Sequence, residues 1–587
     1  MVFLLANLTK RMNSLLNKKF FILLLLILAY SIYDRFLWSN IAQWHSDQAT
    51  HMWIGLTQKI DNISVGLISS VGLPNPNGMV FIAKALTYLP SLWSVSFVIS
   101  LIQLFLIIIL GLVLFNKNKN LFFLFIIPII FCVALRSSSV HFVIQWILVS
   151  VNLFYFILIA LYLNKPSPLR FIFLLIPMLI APSIYLAGLA NSLAFFLCSL
   201  LALYFHPLPR NLKMCIFPTI LGIFFLFLSL KFTWLPYYYE ININNISSNI
   251  DIWKRISLTI NAAIKFPYWS IIHGAGNISG SFGHNGYESA TIPFWSITHY
   301  NNEAVEAYKI LNGPLSNNAV FGLRLTSLIL ILQAILSTLL ITLVPLFNFA
   351  KYRSFKNIFK NEKKIEFEFL MITIIFIFTV LVLATFLGAP DWISGKRLDH
   401  QVQFLPFLII IWFVIPWIIK LPKFLNKSLN NFFIFLFFSY ILLSILSGYQ
   451  ISKDYNKYNG TMITEADVPL IQKKEAIKFI ANDWKLKSNS KSIPVAYFFN
   501  DRRWSAVNKF GEKLSKYYPN IFTLGREYDY ELLRSYGLFN TQEGIQHRNF
   551  KNIRYIISYN SIPIRIRKSL ISEIKIIGQL KIIKLLN

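Results

Sequence analysis

Long apolar runs alternate with short polar segments along most of this chain. Apolar runs of roughly 17–25 residues have the length that an α-helix needs to cross a bilayer. They predict an α-helical polytopic membrane bundle of about eleven spans, near 20–37, 92–115, 121–135, 142–163, 169–187, 190–205, 214–235, 324–349, 368–388, 403–419 and 431–449. The first run follows Lys18 and Lys19 as a signal peptide would, but it lacks a small-residue cleavage site, so we interpret it as a retained helix.

Composition supports this class. Hydrophobic residues make up 56% of the 587 positions, and the mean hydropathy is +0.57. Because the apolar segments are long as well as frequent, these values exclude an ordinary soluble protein.

The basic residues orient the predicted bundle. The formal net charge is +30, and with the N-terminus inside, the N-terminal segment and the short inner loops hold 19 Lys and Arg. The short outer turns hold only Arg136, Lys396 and Arg397, as the positive-inside rule expects. The basic clusters are therefore interpreted as contacts with membrane lipids, and no nucleic-acid partner is predicted. Three large pieces then lie outside: residues 38–91, residues 236–323 and the tail from 450.

The cysteines add little. Cys132, Cys198 and Cys215 all fall in predicted spans, so the outer pieces have neither a disulfide framework nor a cysteine metal site. The Ile-, Asn- and Lys-rich usage is typical of an AT-rich bacterial genome, which favours a bacterial inner membrane with the tail outside.

The tail has a different pattern. Residues 476–484 have helical apolar spacing, and residues 493–499, 554–559 and 580–586 have the pattern of buried strands. Alternating helices and strands predict an extracytoplasmic α/β domain over 450–587, behind a membrane module over 1–449. The tail contains no phosphate loop, metal spacing or nucleophile elbow, so its expected role is structural or acceptor-shaping.

The first outer loop carries the candidate chemistry. Asp47 follows the first span, with Trp44 and His45 before it. A Pro- and Gly-rich stretch over 72–78 and then Lys84 and Tyr88 come before the second span. In residue types and order, this loop resembles that of the GT-C superfamily of polyprenyl-phosphate-sugar glycosyltransferases, of the protein mannosyltransferase and aminoarabinose transferase type. Those enzymes carry an acidic motif in this loop, a Pro- and Gly-rich stretch after it and a soluble outer C-terminal domain.

A second match lies in residues 395–406, where Arg397 and His400 precede Pro406. Members of the superfamily often have an Arg, then aromatic or His residues, and Pro where a late span re-enters the membrane. One departure is Gln48, since many members have a second acid beside the first. The departure leaves the candidate base in place and puts a metal site in doubt.

The resemblance implies transfer of a sugar from a polyprenyl-phosphate donor to a glycan, lipid or protein acceptor at the outer face. Asp47 would act as the general base that takes the acceptor's proton. Lys84, Arg397 and His400 would contact the donor phosphate, whose charge grows as it departs. No particular cofactor is predicted, and a divalent metal stays open. Further substrate contacts are expected from Trp44, His45, Tyr88, Glu288 and Asp391.

Each role has a structural alternative. Asp47 has the residue type of a helix cap, Lys84 that of a lysine reaching the interface, and Arg397 that of an interfacial anchor. A His and Glu metal site lacks support, because no HxxxH or HExxH spacing occurs.

Three other functions compete with glycosyl transfer. A transporter or flippase generally has ionisable groups near the middle of its spans, and none is predicted there. A polysaccharide polymerase or ligase shares the lipid-linked donor but usually does without so large a C-terminal domain. A non-enzymatic scaffold would show no ordered pocket.

Overall fold

The computed structural model describes two regions of the chain. The described residues are 18–40, 42, 44, 46–60, 76–115, 119–131, 136, 139–140, 142, 144–185, 188–208, 216–229, scattered positions from 253 to 453, 468, 470–498, 525–541, 553–560, 564 and 566–586. The first region is entirely helical, and the second combines helices with a sheet. The helices of the first region are α1 (Lys18–Asn40), α2 (Ser46–Thr57), α3 (Gly78–Leu86), α4 (Leu92–Leu114), α5 (Lys119–Phe131), α6 (Ile144–Asn164), α7 (Pro168–Ile184), α8 (Gly188–Phe205) and α9 (Ile216–Ser229).

Every span predicted before residue 235 falls on one of these helices. Among the described residues, four helices are long and apolar enough to cross a membrane: Phe21–Asn40, Leu92–Leu114, Ile147–Asn164 and Gly188–Phe205. The count of about eleven is not confirmed. The spans predicted near 324–349 and 403–419 lie almost wholly outside the described residues.

The long helices pack side by side around one apolar core. Helix α6 packs against α4 and α7, and α7 packs against α8. The described residues of the span predicted at 368–388 are helical, and Phe376 stacks on Phe195 of α8 with ring centroids 5.4 Å apart. One face of that late segment therefore belongs to the same core.

The second region, the C-terminal unit, comprises the described residues from 468 to 586. Its elements are α10 (Leu470–Lys487), β1 (Ser492–Ile493), β2 (Val495–Phe498), α11 (Arg526–Tyr536), β3 (Phe539–Asn540), β4 (Tyr555–Tyr559), β5 (Ile571–Ile577) and β6 (Leu580–Leu585). The helix and three strands predicted in the tail are confirmed. Helix α11 and the strands β3 and β5 are additions that the sequence pattern did not predict.

A four-stranded mixed sheet organises this unit. The strand order is β2-β4-β6-β5, with β2 parallel to β4 and the other neighbours antiparallel. Gly578, at φ +57°, allows the tight turn between β5 and β6. Ile477 and Ile480 of α10 and Leu532 of α11 pack with Val495 and Ile582 of the sheet, so the unit has its own core.

Candidate functional site at the loop end of the bundle

Helix ends and short helices meet at one end of the bundle, here called the loop end. Helix α1 ends there and α4 begins there, and α2 and α3 lie between them in the chain. Helices α2 and α3 pack against each other, and the backbone of Gly78 at the start of α3 closely approaches Ser183 near the end of α7. This end therefore gathers the first loop onto the ends of several long helices.

Asp47 lies at the start of a helix. Helix α2 begins at Ser46, so Asp47 belongs to its first turn. Backbone N–H groups at a helix start lack partners within the helix, and the helix dipole favours a carboxylate there. The position of Asp47 is therefore compatible with a helix cap and with a general base. Its role as a base stays a prediction.

Trp44 before Asp47 and residues 48–50 after it are buried. Trp44 is completely buried, and its Nε1 donates a hydrogen bond of 2.9 Å to Ser96 Oγ of α4. The ring of Trp44 also stacks on Phe142, with centroids 6.2 Å apart. Gln48, Ala49 and Thr50 are buried as well. The start of α2 is therefore packed into the bundle, and the predicted contact of Trp44 with substrate stays untested.

Lys84 links α3 to α2. Its Nζ donates hydrogen bonds to the carbonyl oxygens of Gly55, at 2.9 Å, and Gln58, at 2.6 Å. Both carbonyls lie at the C-terminal end of α2, where a cation is favourable. An ammonium group has three donors, and these bonds use two of them. The phosphate contact predicted for Lys84 stays a prediction. In such a contact, the ammonium would bind the phosphate while it also donates to the carbonyls of Gly55 and Gln58.

Tyr88 offers an exposed ring just after the end of α3. Its side chain is 82% exposed, while its backbone carbonyl accepts a hydrogen bond of 2.8 Å from Arg534 Nη2 in α11. The neighbouring Leu89 carbonyl accepts from Arg534 Nε at 3.0 Å. The C-terminal unit therefore fixes the backbone of Tyr88 and leaves its ring accessible.

The structure also contains a buried charge cluster that the sequence analysis missed. Asp34 in α1 pairs with Arg35 at 3.2 Å and with Arg136 at 3.0 Å, and both guanidinium groups are inaccessible to solvent. Arg136 also lies 5.7 Å from the ring centre of Trp38. Arg136, which the sequence predicts in a short outer turn, is buried and helical in the structure.

A sequence signal for this cluster existed. Asp34 and Arg35 interrupt an otherwise apolar run, and charges inside a membrane helix are costly unless they are paired. Both residues lie in the last two turns of α1, near the loop end and away from the middle of that span.

Several predicted site residues have no described placement. His45, Glu288, Asp391, Arg397 and His400 lie outside the described residues, and of Asp47 only the backbone is described. In the described part of the chain, no group of three or more His, Cys, Asp or Glu side chains is arranged to hold a metal ion.

Comparison with known proteins gives two results. No family model and no curated protein matches the sequence. Among solved structures, the chain is similar to crystal structures of ArnT from Cupriavidus metallidurans. The structure in the apo state matches at 11% identity with a TM-score of 0.34, and that bound to undecaprenyl phosphate at 10% with 0.33. Each match covers 95% of this chain and 97% of the other.

Proposed function

We propose that this protein is an integral-membrane glycosyltransferase. It transfers a sugar from a polyprenyl-phosphate-linked donor to a glycan, lipid or protein acceptor at the loop end of the bundle. The observation that carries the proposal is the packing of α2, which bears Asp47, against α3, which bears Lys84. The helix that carries Asp47 and the helix that carries Lys84 thus meet where long apolar helices end.

This arrangement suits a donor whose lipid tail stays in the membrane. The donor's phosphate must remain at headgroup level while its sugar extends into the aqueous phase. The first loop meets the helix ends at that level under the proposed orientation. Polar groups for the sugar and the ammonium of Lys84 for the phosphate are then available from one short stretch of chain.

The proposed reaction is an inverting displacement. The acceptor oxygen attacks the anomeric carbon while Asp47 takes its proton, and the bond from that carbon to the phosphate oxygen breaks. The electron pair of the broken bond leaves with the polyprenyl phosphate. Lys84, Arg397 and His400 are proposed to stabilise the charge that develops on this phosphate. Tyr88, Trp44, His45, Glu288 and Asp391 are proposed to shape the sugar and acceptor sites.

The proposal includes a topology. The N-terminus lies inside, about eleven spans follow, and the C-terminal unit lies outside a bacterial inner membrane. The division into a membrane module over 1–449 and an extracytoplasmic domain over 450–587 is part of the same proposal.

The variant Asp47→Asn tests the proposed base. The amide keeps the size of the side chain and removes its basicity, so turnover should fall by roughly 10²–10⁴-fold. Donor binding should stay close to wild type, because the base acts mainly in the transition state. The measurement is single-turnover transfer from a polyprenyl-phosphate sugar, together with donor affinity.

Asp483→Asn is the matched control for this test. It makes the same change in α10, where Asp483 binds Lys584 at 2.8 Å within the C-terminal unit, and should leave turnover unchanged. An active Asp47→Asn enzyme would exclude the mechanism. A product that retains the anomeric configuration would exclude the direct displacement even if Asp47 proved essential.

A further inference from the structure

The C-terminal unit forms hydrogen bonds with the backbone just before Asp47. Lys473 of α10 is buried, and its Nζ donates a hydrogen bond to the carbonyl oxygen of Trp44. The backbone N–H of Leu470 donates to the carbonyl oxygen of Ala42 at 3.2 Å. Helix α10 therefore binds two backbone carbonyls in the segment that connects α1 to α2.

A carboxylate from another helix holds Lys473 in this position. Glu527 of α11 accepts from Lys473 Nζ at 3.1 Å, and both side chains are almost completely buried. The ammonium also lies 5.6 Å from the ring centre of Tyr528. A buried ammonium is costly unless paired and hydrogen-bonded, so Glu527 makes the contact with Trp44 tenable.

The C-terminal unit also contacts the middle of α2. Helix α11 packs on α2, and the guanidinium of Arg526 lies 4.9 Å from the ring centre of Trp53. Arg526 is itself paired with Asp529 at 3.6 Å. Asp529 accepts hydrogen bonds from Tyr497, at 2.6 Å, and from Asn540, at 2.9 Å. This contact is therefore tied to the core of the C-terminal unit.

We propose that Lys473 is a positioning residue for Asp47. With Glu527, it fixes the carbonyl of Trp44, three residues before Asp47, and thereby sets the position of the first turn of α2, which bears Asp47. This inference rests on the proposed function. It gives the C-terminal unit a direct part in the reaction, beyond the structural or acceptor-shaping role expected from the sequence.

The variant Lys473→Met tests the inference in the full chain. Methionine keeps much of the side-chain volume and removes the donor. A displacement of about 1 Å in a catalytic group costs about 10²-fold in rate, so kcat should fall by about 10²-fold. KM for the donor should change little, because Lys473 is buried against Trp44 and Glu527. Lys473→Arg retains a cationic donor and should recover part of the lost kcat.

Two further variants separate positioning from stability. Lys473→Met leaves Glu527 buried without this cation, so Lys473→Met/Glu527→Gln removes both charges and should show the same loss of kcat. Lys584→Met removes the ion pair with Asp483 inside the C-terminal unit and should leave kcat unchanged. An equal loss of kcat in Lys584→Met would assign the effect to general destabilisation and overturn the proposal.

Hydrogen–deuterium exchange provides a readout that does not depend on activity. In Lys473→Met and in the double variant, amides of residues 42–57 should exchange faster, while those of α4 keep their protection. Unchanged exchange over 42–57, or faster exchange with unchanged kcat, would overturn the positioning role. If wild-type protein transfers no sugar from a polyprenyl-phosphate donor, the proposed function fails, and the exchange result still decides whether Lys473 holds this segment.

Discussion

At the scale of single residues, Gly55 determines how closely α2 approaches α3. A Cβ atom at this position would lie 2.7 Å from the backbone nitrogen of Lys84 and 3.0 Å from the carbonyl carbon of Ala83. Backbone atoms cannot yield as a flexible side chain can. The absence of a side chain at Gly55 therefore permits the contact that places the helix of Asp47 against the helix of Lys84.

Gly55→Ala should destabilise the protein and lower transfer activity. Overpacking typically costs about 1–3 kcal/mol. That cost exceeds the roughly 0.5–1 kcal/mol that alanine gains over glycine in a helix. The measurement is the thermal midpoint in detergent together with the transfer rate.

The control for this prediction is Gly222→Ala in α9. There the new methyl group would meet the ring of Phe196, at 2.5 Å from Cε2, and a ring can shift. The Gly222→Ala change should therefore be the milder of the two. Equal effects would show that the close approach at Gly55 has no special importance.

The candidate site residues at the loop end were predictable from the sequence, whereas the groups that they contact were not. Lys84 and Asp47 are candidate site residues because a cation and an acid there flank predicted spans. The bonds from Lys84 to Gly55 and Gln58 depend on the packing of two helices, which their spacing in the chain does not specify. The pairing of Asp34 with Arg136 joins residues 102 positions apart and was missed for the same reason.

At the scale of elements, the start of α4 depends on the C-terminal unit. Ser91 caps the helix by accepting from the backbone N–H of Ser94, and the N–H of Leu92 donates to Glu531 Oε1 of α11 at 2.5 Å. Burial raises the pKa of Glu531, and the hydrogen bonds from Leu92 and Ser535 and the charge of Lys474 only partly offset it. An element of one unit thus satisfies a helix end of the other.

Glu531→Gln and Glu531→Ala should differ in stability at neutral pH. Glutamine retains an acceptor for Leu92 and avoids burying a charge, so stability should be equal or higher. Alanine leaves a buried N–H without its acceptor, which costs about 1–3 kcal/mol. Thermal midpoints of the two variants test this. Equal losses in both would show that the charge of Glu531, and not only its oxygen, is needed.

The pH dependence of stability follows from the same carboxyl group. Because its pKa in the folded protein is raised, the folded protein binds the proton more tightly than the unfolded chain. The contribution of Glu531 to stability should therefore be greatest below the unfolded pKa and decline as pH rises through the folded pKa. Glu531→Gln should remove this part of the dependence, which thermal midpoints measured across pH can detect.

Elements with strong apolar periodicity were predictable, and α11 was not. The spans before residue 235 and the strands β2, β4 and β6 have long or continuous apolar patterns. Helix α11 buries Arg526, Glu527, Asp529 and Glu531, which a reading of periodicity assigns to a solvated segment. Glu527, Asp529 and Glu531 meet charged or hydrogen-bonding partners on other elements. Arg526 pairs with Asp529 of the same helix and contacts the ring of Trp53.

At the scale of the whole molecule, the C-terminal unit and the first loop lie on the same side of the bundle. Leu470 and Tyr530 of the C-terminal unit belong to the same apolar core as the long helices. Arg534 binds the carbonyls of Tyr88 and Leu89 just before α4 begins. The tail and the loop between α1 and α4 must therefore face the same compartment, whichever compartment that is.

Cysteine labelling tests this arrangement and the proposed orientation together. In a background without the three native cysteines, Lys59→Cys reports on the first loop and Ser490→Cys on the C-terminal unit. Lys165→Cys reports on the connection between α6 and α7, at the opposite end of the bundle. Lys59, Ser490 and Lys165 are all exposed.

With a membrane-impermeant maleimide on intact cells, Lys59→Cys and Ser490→Cys should react, and Lys165→Cys should react only after permeabilisation. Reaction of Lys165→Cys alone would keep the fold and reverse the orientation, which would place the proposed chemistry in the cytoplasm. Lys59→Cys and Ser490→Cys on opposite sides would contradict the contact between the two units, and with it the positioning role of Lys473.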